Sequence, residues 1–175
     1  MPNLAKKVSC REGFTLIELI VVFSIMAMIS GVGFASLVAY SRSQALSQAV
    51  ANVKSAVEQA KFNALSNVVR PSSCTTTSTL VSYKLIFCGT NAACTAEGIT
   101  DTHGYLIQVN CGVQSTTIFR QKVLSPLSVS STCANVTYLA TNANFSSSSS
   151  PPCTVTVSGY GNTKQVIINS LGQTQ

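Results

Sequence analysis

Gly13-Phe14-Thr15-Leu16-Ile17-Glu18 opens a run with no further charge from Leu19 to Ser41, a stretch of 23 positions. That is enough to cross a bilayer as a helix, which takes about 20 apolar residues. Lys6, Lys7, Arg11 and Glu12 precede it, so a basic start leads into an apolar segment with an acid near its front. An acid in a membrane helix is costly and normally has a partner or a function. Eleven Leu, Ile, Val and Phe residues lie between Leu19 and Val38. Each favours insertion by about 0.3 to 0.6 kcal/mol, roughly 3 to 7 kcal/mol together, against about 3 kcal/mol for one central acid. The segment therefore inserts despite Glu18, and insertion alone does not explain the acid. A cut after Gly13 would supply a cation, the new α-amino group of Phe14, four residues upstream of Glu18.

These residues resemble the class III signal of type IV prepilins and type II secretion pseudopilins. In that family a short basic leader ends in Gly, and prepilin peptidase cuts before a Phe or Met that is then N-methylated. Thr-Leu-Ile-Glu follows in the mature chain, as Thr15-Leu16-Ile17-Glu18 do here. The resemblance implies cleavage between Gly13 and Phe14, N-methylation of Phe14, and pairing of Glu18 with the Phe14 amine of a neighbouring subunit during assembly. Two plainer readings compete. A secretory signal peptide also has a basic start, but its apolar core is usually about 7 to 15 residues without an acid in front. A simple transmembrane anchor fits the length and leaves Glu18 unexplained.

The chain has 175 residues, room for one globular domain beside the anchor. Eleven Lys and Arg against five acids give +6. Loss of residues 1–13 removes three bases and one acid, leaving eight against four, or +4. The bases form no run, so charge does not by itself point to nucleic acid. Few residues are charged, and Ser, Thr and Asn are abundant, which suits an exported β-rich domain.

Of seven cysteines, Cys10 would leave with the leader. Cys74, Cys88, Cys94, Cys111, Cys133 and Cys153 remain, an even set that reads as up to three disulfides with fifteen possible pairings. Short loops favour Cys88–Cys94 and Cys133–Cys153, which leaves Cys74–Cys111. Zinc is the competing use of cysteine, but the chain has no C-x-x-C pair and a single histidine, His103.

From Ser43 onward Leu46, Val50, Val53, Val57, Ala60, Ala64 and Val68 recur at spacings of three and four, one stripe of an amphipathic helix. Pro71 ends the pattern. One helix from about Thr15 to Val69 is predicted. Gly31 and Gly33 interrupt its apolar half, as a place to bend or melt or as small residues for close helix packing. After Pro71 the predicted strands are 80–87, 105–111, 116–124, 136–140, 154–158 and 165–169, with a hairpin turn at Gly159-Tyr160-Gly161-Asn162. Ser146–Ser150 and Pro151-Pro152 read as an exposed low-complexity loop. The expected fold class is α+β, a long helix packed on an antiparallel sheet head. The expected organisation is a leader at 1–13, a membrane or filament-core helix at 14–41, an amphipathic half at 42–70 and a β-rich periplasmic head at 71–175.

The tail Val166-Ile167-Ile168-Asn169-Ser170-Leu171-Gly172 is similar to the closing strand and glycine turn of the FimT and pseudopilin H group. DNA-binding FimT-like members follow the glycine with Arg-x-Arg. Here Gln173 and Gln175 stand in those places, so two phosphate-seeking guanidinium groups are absent. Arg120 and Lys122, on one predicted strand and one face, are the alternative basic spot, with Lys84 or Lys164 as additions. Catalysis has little support: a nucleophilic serine needs a general base, and Asp101-Thr102-His103-Gly104 reads as a turn. No enzyme activity, no catalytic residue, no metal and no cofactor is expected.

The reading that follows is a minor pilin-like subunit, processed by prepilin peptidase and partnered by other pilins or pseudopilins and the inner-membrane assembly platform. Before assembly it would sit in the bacterial inner membrane as a single-pass protein with its head in the periplasm, and afterwards in a filament that can reach the cell surface. A pseudopilin of the H type in a type II secretion system is the alternative. A DNA-uptake or adhesive pilus-tip module is a second.

Overall fold

In a computed structural model, the described residues are 13–66, 74, 80–89, 92–99, 103–112, 114–140 and 142–175. Leader residues 1–12, Val68, Val69, Pro71 and Asp101, all named above, lie outside them. Contacts divide the chain into two compact units, Met1–Ser41 and Arg42–Gln175.

One helix, α1, covers Leu16–Ser66. It runs unbroken across Gly31 and Gly33. Within the first unit its large apolar side chains are exposed, from Leu16 and Ile17 through Phe23, Ile29, Phe34 and Leu37. The most apolar stretch of the helix buries none of its residues inside the molecule. Ser24 donates its hydroxyl to the Ile20 carbonyl at 2.8 Å. That bond satisfies a polar group where hydrocarbon would offer none.

In the second unit α1 changes character. Leu46, Val53, Val57, Ala60 and Ala64 are buried, joined by Ala49 and Ala56, while Val50 is half-buried. Spacings of three and four put these residues on one face, and the alanines let the backbone approach closely. They share a core with residues from two antiparallel sheets. The first sheet has the order β3-β2-β1-β5-β6, formed by β1 Leu80–Phe87, β2 Gly104–Cys111, β3 Gln114–Lys122, β5 Asn135–Leu139 and β6 Phe145–Ser147. The second has the order β4-β7-β8, from β4 Ser128–Ser131, β7 Cys153–Gly159 and β8 Asn162–Ile168. The fold is α+β and pilin-like.

Period-two alternation sorts the first sheet's two faces. Tyr83, Leu85 and Phe87 of β1 join Tyr105, Ile107 and Val109 of β2 in the core with α1. Ile86 and Leu106 face the other way, under a short helix α2 (Ala92–Ala96), with Ile99, Cys88 and Cys94. Burial pushes the Tyr105 hydroxyl up to about 12. The Tyr138 hydroxyl is also pushed up, chiefly by burial and further by the negative charge of Glu58.

Three disulfides brace this unit. Cys88–Cys94, Cys133–Cys153 and Cys74–Cys111 have Cα separations of 5.7, 5.6 and 5.5 Å, within the usual range for a bridge.

Some elements differ from the sequence expectation. α2, β4 and β6 were not predicted as elements. β3 starts at Gln114 and stops at Lys122, two residues earlier at each end. Ser146 and Ser147 belong to β6, paired with Thr137 and Val136, so only the latter part of the serine run is loop. The turn between β7 and β8 matches expectation: Gly159 pairs with Asn162, and Tyr160 and Gly161 both have positive φ, 54° and 79°, as a two-residue I′ turn requires.

Candidate functional site: the N-terminal segment and its neighbours

A helix leaves its first four N–H groups without intrahelical partners, a heavier penalty in hydrocarbon than in water. Thr15 answers part of it. Its carbonyl accepts from the Leu19 N–H at 3.2 Å, and its Oγ1 accepts from the Glu18 N–H at 3.3 Å. Thr15 is thus the N-cap and Glu18 the third helical residue, the spacing of a capping box. Glu18 also places negative charge in the first turn, where the helix dipole favours it. Glu18 thus has a local role at its own helix start beside the intermolecular one expected from the sequence. The T-x-x-E spacing that marks a cap was present all along.

Gly13 and Phe14 precede α1 as non-helical chain, and Phe14 is 80% exposed. Among the described residues nothing lies within 4 Å of where a Gly13 Cβ would be. Among the described residues the one ion pair joins Arg120 to Glu97. No cation of those residues therefore faces the Glu18 carboxylate.

The other sequence-selected residues lie in the second unit. Arg120 and Lys122 are exposed on β3. Arg120 Nη1 donates to Glu97 Oε2 at 3.4 Å, which offsets the charge of that spot. Lys164 is on β8 of the other sheet and donates to Ser47 Oγ of α1 at 2.8 Å. The His103 carbonyl accepts from the Val123 N–H at 2.8 Å, a backbone role.

The tail folds back on itself. Asn169 Oδ1 accepts from the N–H groups of Leu171 and Gln173 at 3.0 and 2.9 Å. Ile167 and Gln175 then exchange backbone bonds at 3.3 and 2.9 Å. Gly172 has φ +66°, and a Cβ there would lie 2.6 Å from Tyr138 Cε1 and 2.7 Å from Phe145 Cδ2. Its carbonyl accepts from Tyr138 Oη at 2.9 Å. Only glycine suits that turn.

Residues 9–34 match the family model described as the prokaryotic N-terminal methylation motif. No curated protein and no solved structure matches the chain. Together with one long helix on antiparallel sheets, the motif supports a type IV pilin- or pseudopilin-like protein. The motif supports processing by prepilin peptidase, assembly with other pilins, and inner-membrane anchoring through the apolar helix before assembly. It points to a structural subunit.

Proposed function

We propose that this chain is a minor subunit of a type IV pilus, one that primes assembly or decorates the fibre. Residues 1–13 are the leader that prepilin peptidase removes, and Phe14 becomes the methylated N-terminus. Residues 14–41 span the membrane and later the filament core. Residues 42–70 and 71–175 form the periplasmic head, which carries no catalytic function. Glu18 is the assembly contact.

A single observation carries this reading: an acid in the first turn of a helix whose apolar surface is exposed and whose described surroundings offer it no cation. The amine of a neighbour's Phe14 supplies one. A charge excluded from water and left unpaired costs about 3 to 5 kcal/mol. Docking without that amine is therefore disfavoured by roughly a hundredfold or more, which fixes subunit register.

Glu18→Ala and Glu18→Val test it in cells. Both variants are expected to insert and to be cleaved, while incorporation into sheared filaments drops at least tenfold. Wild-type incorporation would contradict the assembly role. Three disulfides and a Ser/Thr-rich surface favour the pilus over a secretion pseudopilus. The glycine turn at Gly172, similar to that of the FimT and pseudopilin H group, keeps an H-type pseudopilin as the second reading. Pilus motor genes beside this one would favour the first; a secretin and secretion ATPase set would favour the other.

A further inference from the structure

The end of the Arg42–Gln175 unit that contains Arg42 carries apolar and basic groups that the core does not use. The Arg42 guanidinium carbon lies 5.6 Å from the Tyr160 ring centroid, at the tip of the β7–β8 hairpin. Lys164, two residues past that turn, holds Ser47 on α1. The adjoining turn closes through a Leu127 N–H donating to the Leu124 carbonyl at 3.0 Å. It packs on the hairpin so closely that a Cβ on Gly159 would strike Leu127. Leu124, on that turn, is 79% exposed, and Tyr160 is 39% exposed. A leucine and a tyrosine beside two cations form the mixture that settles at a bilayer surface: aromatic rings at headgroup level, bases toward anionic lipid.

Arg42 is the first charged residue after the uncharged run that ends at Ser41, so chain connectivity brings Arg42 itself to the headgroups. We infer that the Leu124–Leu127 turn and the β7–β8 hairpin tip form an interfacial anchor. It seats this end of the head on an anionic phospholipid surface before the subunit enters a filament. The inference rests on the reading of residues 14–41 as membrane-spanning. Arg42 and Lys164 provide charge complementarity, and Leu124 and Tyr160 enter the interface.

The chain contains no tryptophan, so one introduced indole reports its own surroundings. Full-length Leu124→Trp and Tyr160→Trp proteins are reconstituted into vesicles of phosphatidylcholine and phosphatidylglycerol with brominated acyl chains. Leu171→Trp is the control. Leu171 is 67% exposed on the tail whose Thr174 reaches Glu58, sixteen residues or roughly 24 Å along α1 from Arg42. Quenching at positions 124 and 160 is expected to exceed the control at least twofold. It is expected to fall at least twofold in phosphatidylcholine alone and on adding Lys164→Glu. Quenching no greater than the control would overturn the inference, as would quenching indifferent to lipid charge. Quenching that falls as the protein-to-lipid ratio rises would also overturn it, because a second copy then covers the surface in place of lipid. Flotation of the same vesicles reads insertion separately. A floating chain with unquenched probes sinks only this inference, whereas a chain that does not float sinks the membrane-spanning reading with it.

Discussion

The two halves of α1 obey one backbone geometry and opposite burial rules. In the first unit, apolar residues point in every direction and none of the most apolar window is covered by the molecule itself. From Leu46 on, one stripe is buried against two sheets and the opposite face is mainly polar, with Phe62 and Leu65 exposed toward its end. A helix that is apolar all round requires lipid or other helices, while a striped helix requires only its own domain. One element thus serves two solvents, and the change falls at Arg42, where the compact units divide.

Acid placed on either side of that division should fail in different ways. Val57→Asp puts a carboxylate at a fully buried site, and the head is expected to lose more than about 4 kcal/mol and not fold. Thermal unfolding by circular dichroism reads this. Val22→Asp should leave the head's transition intact and instead oppose membrane insertion by about 3 kcal/mol, read by carbonate extraction.

Truncation repeats the comparison more gently. Leu46→Ala removes packing from the core and is expected to cost about 3 kcal/mol of head stability. Leu37→Ala, at an exposed position, should change that stability by less than about 0.5 kcal/mol. Equal losses at the two positions would erase the distinction between the halves.

The buried phenols sharpen the head's side. Tyr105 is held at about 12 against an ordinary 10.0 because its neutral form is favoured in the fold. Its contribution is complete below pH 10 and is lost as pH rises through 12, on the order of 2 kcal/mol in all. Tyr138 acts in the same direction. An alkaline decline in stability is expected in denaturant titrations, and Tyr105→Phe should flatten it. A smaller effect is expected at the helix start, where Thr15→Ala removes the cap and costs about 1 kcal/mol of local helix stability. Faster amide exchange at Ile17 and Glu18 in detergent micelles would report it.

The legible parts of the fold were those with internal periodicity. Leu46, Val53, Val57, Ala60 and Ala64 announce a stripe, and the β-branched runs in β1, β2, β7 and β8 announce strands. β4 reads Ser-Val-Ser-Ser and β6 reads Phe-Ser-Ser. Neither has strand composition, and each is ordered by its partner, β7 or β5. Tertiary pairing there overrides propensity. α2 is one turn of small residues, closed by the Cys88–Cys94 bridge, and no helical period can show in five residues. The split into two sheets depends on long-range pairing that local pattern does not encode. At the N-terminal segment the charge of Glu18 was conspicuous, and it obscured the quieter fact that Thr15 three residues earlier caps the same helix.

The proposed assembly contact needs a cation that does not exist until the leader is cut. Intact-mass analysis of protein purified from cell membranes tests this most directly. The prediction is a chain beginning at Phe14, one methyl group heavier and, with three bridges closed, six hydrogens lighter than its sequence. A mature chain beginning at any other residue would leave Glu18 without its counterpart and contradict the proposed assembly contact.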